Sequence, residues 1–96
     1  MFQVNEIKSI LSSKLPALKM RYPISSLAIF GSYARGEATD NSDLDILVGF
    51  NGDIGWEFFD LANDLEQLLH KKVDLVSEKA IKPHYWPYIK QDLIYV

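Results

Sequence analysis

Residues 30–50 read FGSYARGEATDNSDLDILVGF, and this stretch decides how the chain folds. Within it Asp43 and Asp45 alternate with Leu44, Ile46 and Val48, the period of two that sends successive side chains to opposite faces of a strand. A glycine-rich turn stands directly before it, and Asp40 adds a third aspartate in "TDNS", where turn chemistry accounts for it.

Working outward, ISSLAIF at residues 24–30 is a short apolar run that stops at Gly31 and predicts a buried strand. Residues 31–42 then form a long turn, with a single helical turn at 32–35. "NGDIG" ends the aspartate strand, and residues 56–69 follow a helical stripe of Trp56, Phe59, Leu61, Ala62, Leu65, Leu68 and Leu69. His70, Lys71 and Lys72 suit the helix C-terminus. "KVDLV" at residues 72–76 predicts a third strand. Residues 4–21 carry apolar positions at helical spacing, with Pro16 expected to kink or break the helix. The tail reads as one or two short helices punctuated by Pro83 and Pro87, with Tyr85, Trp86, Tyr88, Leu93 and Ile94 expected to cap the core. The expected fold class is α/β (α+β): a small mixed three-stranded sheet flanked by helices, in a single domain over residues 1–96.

Connection lengths predict the pairing. A medium loop joins the first two strands, which favours an antiparallel pair, whereas a whole helix separates the second and third, as a parallel connection requires. This topology gathers the Gly31–Ser32 turn, Asp43, Asp45 and Asp74 at one edge of the sheet. Residues two apart on a strand lie roughly 6.6 Å apart, so Asp43 and Asp45 repel by about 2.5 kcal/mol at an effective dielectric of ~20. A divalent cation reverses that sign. Oxygen donors without His or Cys select a hard ion such as Mg²⁺, which uses one or two carboxylates and fills its octahedron with water and phosphate oxygens. Gly31 lets a phosphate approach the backbone, Ser32 offers a hydroxyl and amides, and Arg35 brings positive charge.

Composition narrows the chemistry. A chain of 96 residues has room for one small domain, and 48% apolar residues spread throughout argue against disorder. A formal net charge of −3 lacks the basic excess that gives general affinity for nucleic-acid backbones. With no cysteine, thiolate metal sites and cysteine nucleophiles are excluded. The first twenty residues show neither a signal pattern nor a membrane-spanning run, so a cytoplasmic protein is expected. Gly31 and Gly36 have P-loop spacing, but Glu37 and Ala38 follow where Lys and Ser or Thr are needed. An EF-hand fails too, because the apolar run "ILV" replaces that loop's glycine turn and later ligands.

At Gly31-Ser32, Gly36, Ser42-Asp43-Leu44-Asp45 and Asp74 the sequence resembles the minimal nucleotidyltransferases of the DNA polymerase β superfamily. The resemblance implies that Asp43, Asp45 and Asp74 form the catalytic and Mg²⁺-binding set, Asp74 also helping to activate an acceptor hydroxyl. Gly31, Ser32, Arg35 and Ser42 are implied as nucleotide-binding. Stand-alone chains this short look like antitoxin partners of HEPN-domain ribonuclease toxins, which implies transfer of AMP from ATP to a tyrosine of the toxin. Two rivals stay open on sequence alone: a module that masks its partner without chemistry, and an enzyme acting on a small acceptor or a nucleic-acid end.

Overall fold

The computed structural model describes residues 3–96. Helix α1 spans Val4–Arg21 and turns Ile7, Leu11 and Leu18 into the core. Pro16, where a kink or a break is expected, sits inside it without breaking it. Pro16 and Ser12 are both exposed, so the carbonyl deprived of its partner by the proline is on the watered side of the helix. The helix stops where Tyr22, which precedes Pro23, takes the extended conformation that a following proline imposes.

Strands β1 (Ile24–Phe30), β2 (Leu44–Phe50) and β3 (Val73–Ser77), with helix α2 (Glu57–Leu69) between the last two, follow as the sequence predicts. β1 pairs antiparallel with β2, and β3 parallel with β2. The sheet has four strands rather than three, in the order β3-β2-β1-β4. The added strand β4 is Ile94–Tyr95, antiparallel to β1, and the Val96 N–H extends the pairing by donating to the Leu27 carbonyl at 3.0 Å. Two residues carry no alternation to read; β4 exists because β1 has a second edge to satisfy.

One face of the sheet presents Leu27, Ile29, Leu44, Ile46, Val48 and Val73 to the buried stripes of α1 and of α2, the latter being Leu61, Leu65 and Leu69. Trp56 and Phe59, expected in that stripe, are instead 83% and 62% exposed, and their rings pack on one another at 5.8 Å. Trp56 precedes the first turn of α2, and Phe58 takes the inward position.

From the end of β3 the chain must reach the far edge of the sheet to form β4. Because α1 and α2 occupy one face, this segment, comprising a 3-10 turn (Glu78–Ala80) and the short helix α3 (Trp86–Lys90), straps across the other. Leu47 and Ala28, which point to that second face, are accordingly buried. Tyr85 and Tyr88 correct the expectation that they cap the core: they lie on the outside of the strap, 55% and 72% exposed. Ile94 and Val96 do pack against the core.

Candidate active site

In the parallel β2–β3 pair Asp45 stands directly opposite Asp74, and in the antiparallel β1–β2 pair it stands opposite Phe30, the residue before Gly31. Three segments distant in sequence therefore meet at Asp45. The contact with the turn is close enough that a Cβ at Gly31 would collide with the Asp45 carboxylate, lying 3.0 Å from Cγ and closer still to Oδ2. Gly31 also holds φ +75°, in the left-handed region that favours glycine. Both facts require glycine at the head of the turn.

The Asp45 carboxyl is pushed up to about 6, first by burial, then by the Asp74 carboxylate at hydrogen-bonding range and by Asp43. Arg35 opposes the rise. Asp43 is exposed, immediately before β2.

Residues 31–37 wind into one tight turn, the Arg35 N–H donating to the Gly31 carbonyl at 3.1 Å and the Glu37 N–H to the Ser32 carbonyl at 2.9 Å. This is the turn expected at 32–35. It half-buries Ser32 and drives Tyr33 into the core, where the phenol hydroxyl has no hydrogen-bond partner among the described residues. The Lys71 ammonium lies 5.1 Å from the Tyr33 ring centroid. Ser42 serves the next turn: its hydroxyl accepts from the Thr39 N–H at 2.9 Å, and its own N–H donates to the Thr39 carbonyl at 3.0 Å. That closure delivers the chain to Asp43. Arg35 is gripped by two carboxylates, donating from Nε to Glu37 and from Nη1 to Asp92, each at 2.8 Å.

The donor set fits a hard divalent cation. Asp45 and Asp74 offer carboxylate oxygens held together against their own repulsion, the condition that a cation relieves. Among the described residues no three acidic or histidine side chains close into a ready-made cage.

The structure thus brings Gly31, Asp45 and Asp74 together, with Asp43 and Arg35 within electrostatic reach. It keeps Ser42 in a supporting turn. Asp40 is an exposed turn residue, His70 ends α2, and His84 stacks on Tyr85 with centroids 4.2 Å apart. Asp92 is the residue sequence reasoning missed. It lies 57 positions from Arg35, on a strap whose path depends on the fourth strand, and no local pattern marks it.

Comparison with known proteins agrees with this geometry. Residues 4–96 match the family model described as a nucleotidyltransferase domain. A protein of Methanocaldococcus jannaschii, provisionally named a protein adenylyltransferase, is 50% identical over 95 residues and 97% of each chain. The protein adenylyltransferase MntA of Thermococcus cleftensis is 37% identical over 97 residues, covering 100% of this chain and 98% of its own. Among solved structures, one provisionally described as a minimal nucleotidyltransferase superposes with TM-score 0.81 at 33% identity, over 97% of this chain and 95% of the other. A toxin-antitoxin crystal structure with AMP-PNP gives TM-score 0.68 at 25% identity, over 95% of this chain and 69% of the other. The complex of an MNT antitoxin with the tri-AMPylated HEPN toxin of Shewanella oneidensis shares the fold, with TM-score 0.59 at 22% identity over 95% of this chain and 66% of the other. A glycine turn pressed against paired aspartates, and a family match that runs through all the structural elements, make the same statement: the chain belongs to the nucleotidyltransferase domain family, as an enzyme of its minimal, MNT type.

Proposed function

We propose that this enzyme transfers AMP from ATP to a tyrosine hydroxyl of a HEPN-type toxin and thereby acts as its antitoxin, working as a single domain in the cytoplasm. The observation that carries the reading is the alignment of Asp45 with Asp74 across β2 and β3, beside a turn whose Gly31 packs directly against the Asp45 carboxylate. The naming of the Thermococcus relative as a protein adenylyltransferase supports a protein acceptor, and the toxin-antitoxin neighbour with AMP-PNP supports a toxin as partner. No helix of the described residues is long and apolar enough to cross a membrane.

In this reading Asp43 and Asp45, with Asp74, hold Mg²⁺, and Gly31, Ser32 and Arg35 receive the triphosphate through backbone amides, hydroxyl and guanidinium. Bound Mg²⁺ supplies neutralisation of the phosphate charge that develops as pyrophosphate departs. The acceptor oxygen forms a bond to the α-phosphorus, the bond from that phosphorus to the bridging oxygen breaks, and the hydroxyl proton passes to a carboxylate oxygen of Asp74. Ser42 acts by fixing the turn that aims Asp43.

The test is incubation of the wild type and of the Asp43→Asn, Asp45→Asn double variant with ATP labelled at the α-phosphate, Mg²⁺ and lysate of the native host. A labelled protein band made by wild type alone, with the label on tyrosine, is the expected result. Equal labelling by the double variant would overturn the metal assignment. A captured partner that stays unlabelled would turn the reading to masking without chemistry.

A further inference from the structure

Arg35 follows Gly31 by four residues, and its charge reaches Asp45. A long side chain at that place sweeps many rotamers in water, and holding one of them against a phosphate costs conformational entropy. Here two carboxylates have already fixed it, Glu37 from within the turn and Asp92 from the strap, on the far side of α3. They engage two of the five guanidinium N–H groups, which leaves donors for an anion. Side chains of the Arg35–Asp92 pair are 45% and 20% exposed, and pairs so wet add little to stability.

We propose that Asp92 is a positioning residue for nucleotide transfer: it anchors the Arg35 guanidinium beside the Gly31 turn, so that the C-terminal strap forms one wall of the triphosphate site. The inference rests on the reading that this site takes a nucleoside triphosphate. It assigns the strap a second duty beyond covering Leu47 and Ala28. It also accounts for the cost of keeping two carboxylates near a site meant for an anion: orientation outweighs the partial neutralisation of Arg35.

The experiment is calorimetric titration of the full chain with ATP and Mg²⁺, together with thermal unfolding, for wild type, Asp92→Asn, Asp92→Glu, Arg35→Ala and the Asp92→Asn, Arg35→Ala pair. Asp92→Asn is expected to weaken ATP binding ~10-fold while moving the unfolding midpoint by less than about 2 °C. Asp92→Glu is expected to recover most of the affinity, and the double variant to bind no more weakly than Arg35→Ala, because the two residues act as a unit. Unchanged or tighter binding by Asp92→Asn, losses that add in the double variant, or a loss that tracks a collapse in thermal stability and is not recovered by Glu, would each overturn the proposal. Failure of the wild type to bind ATP would be a different result, overturning the nucleotide reading itself.

Discussion

At residue scale, the site depends on the contact between a glycine that has no side chain and an aspartate that lies where one would be. Gly31→Ala must accept φ +75° and clear the Asp45 carboxylate at once. The left-handed conformation alone costs about 1–2 kcal/mol, and displacement of Asp45 adds to it. Chemical denaturation should show at least that loss, and nucleotidyl transfer should fall well below what the stability loss explains. Asp45 itself makes the opposite trade. Its carboxyl is raised from 3.8 to about 6, so its protonated form is the one the fold favours. That contribution is fully present below about pH 4 and is lost as pH rises through about 6. Without metal at pH 7.5, Asp45→Asn should therefore be more stable than wild type, on the order of 1 kcal/mol after screening by water, and the advantage should shrink toward pH 4. Melting curves in a chelator across that range check this; adding Mg²⁺ should raise the wild type alone.

At the scale of elements, two junctions fix the ends of the helices. Helix α2 ends on His70 at φ +53°, a left-handed cap that glycine fills without strain. His70→Gly should stabilise the protein by about 1 kcal/mol, read as a shift of the urea midpoint with unchanged slope. The end of α1 is tied to α2 where the Tyr22 hydroxyl donates to Asp64 at 2.6 Å, with Arg21 on the same oxygen at 2.9 Å. Burial, and then that bond, push the Tyr22 phenol from 10 up to about 12. A phenol raised in this way contributes its stability below pH 10 and loses it as pH rises through about 12. Tyr22→Phe should accordingly cost about 1–2 kcal/mol at pH 8, and the gap from wild type should narrow above pH 10.

For the whole molecule, the last residues close both the sheet and the site. β4 covers the outer edge of β1, and Ile94 reaches the core shared by α1 and α2. Ile94→Ala should cost about 2 kcal/mol, the low end for a core truncation because the side chain is only partly buried, and equilibrium unfolding measures it. The strap that leads to β4 presents Tyr85 and Tyr88 to solvent, while its inner side carries Glu78 to Gly49 and Asp92 to Arg35.

The sequence by itself determined the order of the first three strands, their antiparallel and parallel pairing, and the meeting of Gly31, Asp45 and Asp74. Alternation, helical spacing and connection length are local quantities that leave few ways to connect three strands. Only the tertiary structure decided the rest. Trp56 and Phe59 match a helical stripe, yet which side of that stripe turns inward depends on Phe58, Leu61 and Leu65 joining the core. Pro16 survives because its neighbourhood on α1 faces water. β4 is too short to have a period, and Asp92 reaches Arg35 because a chain leaving one edge of the sheet must cross its open face to close the other.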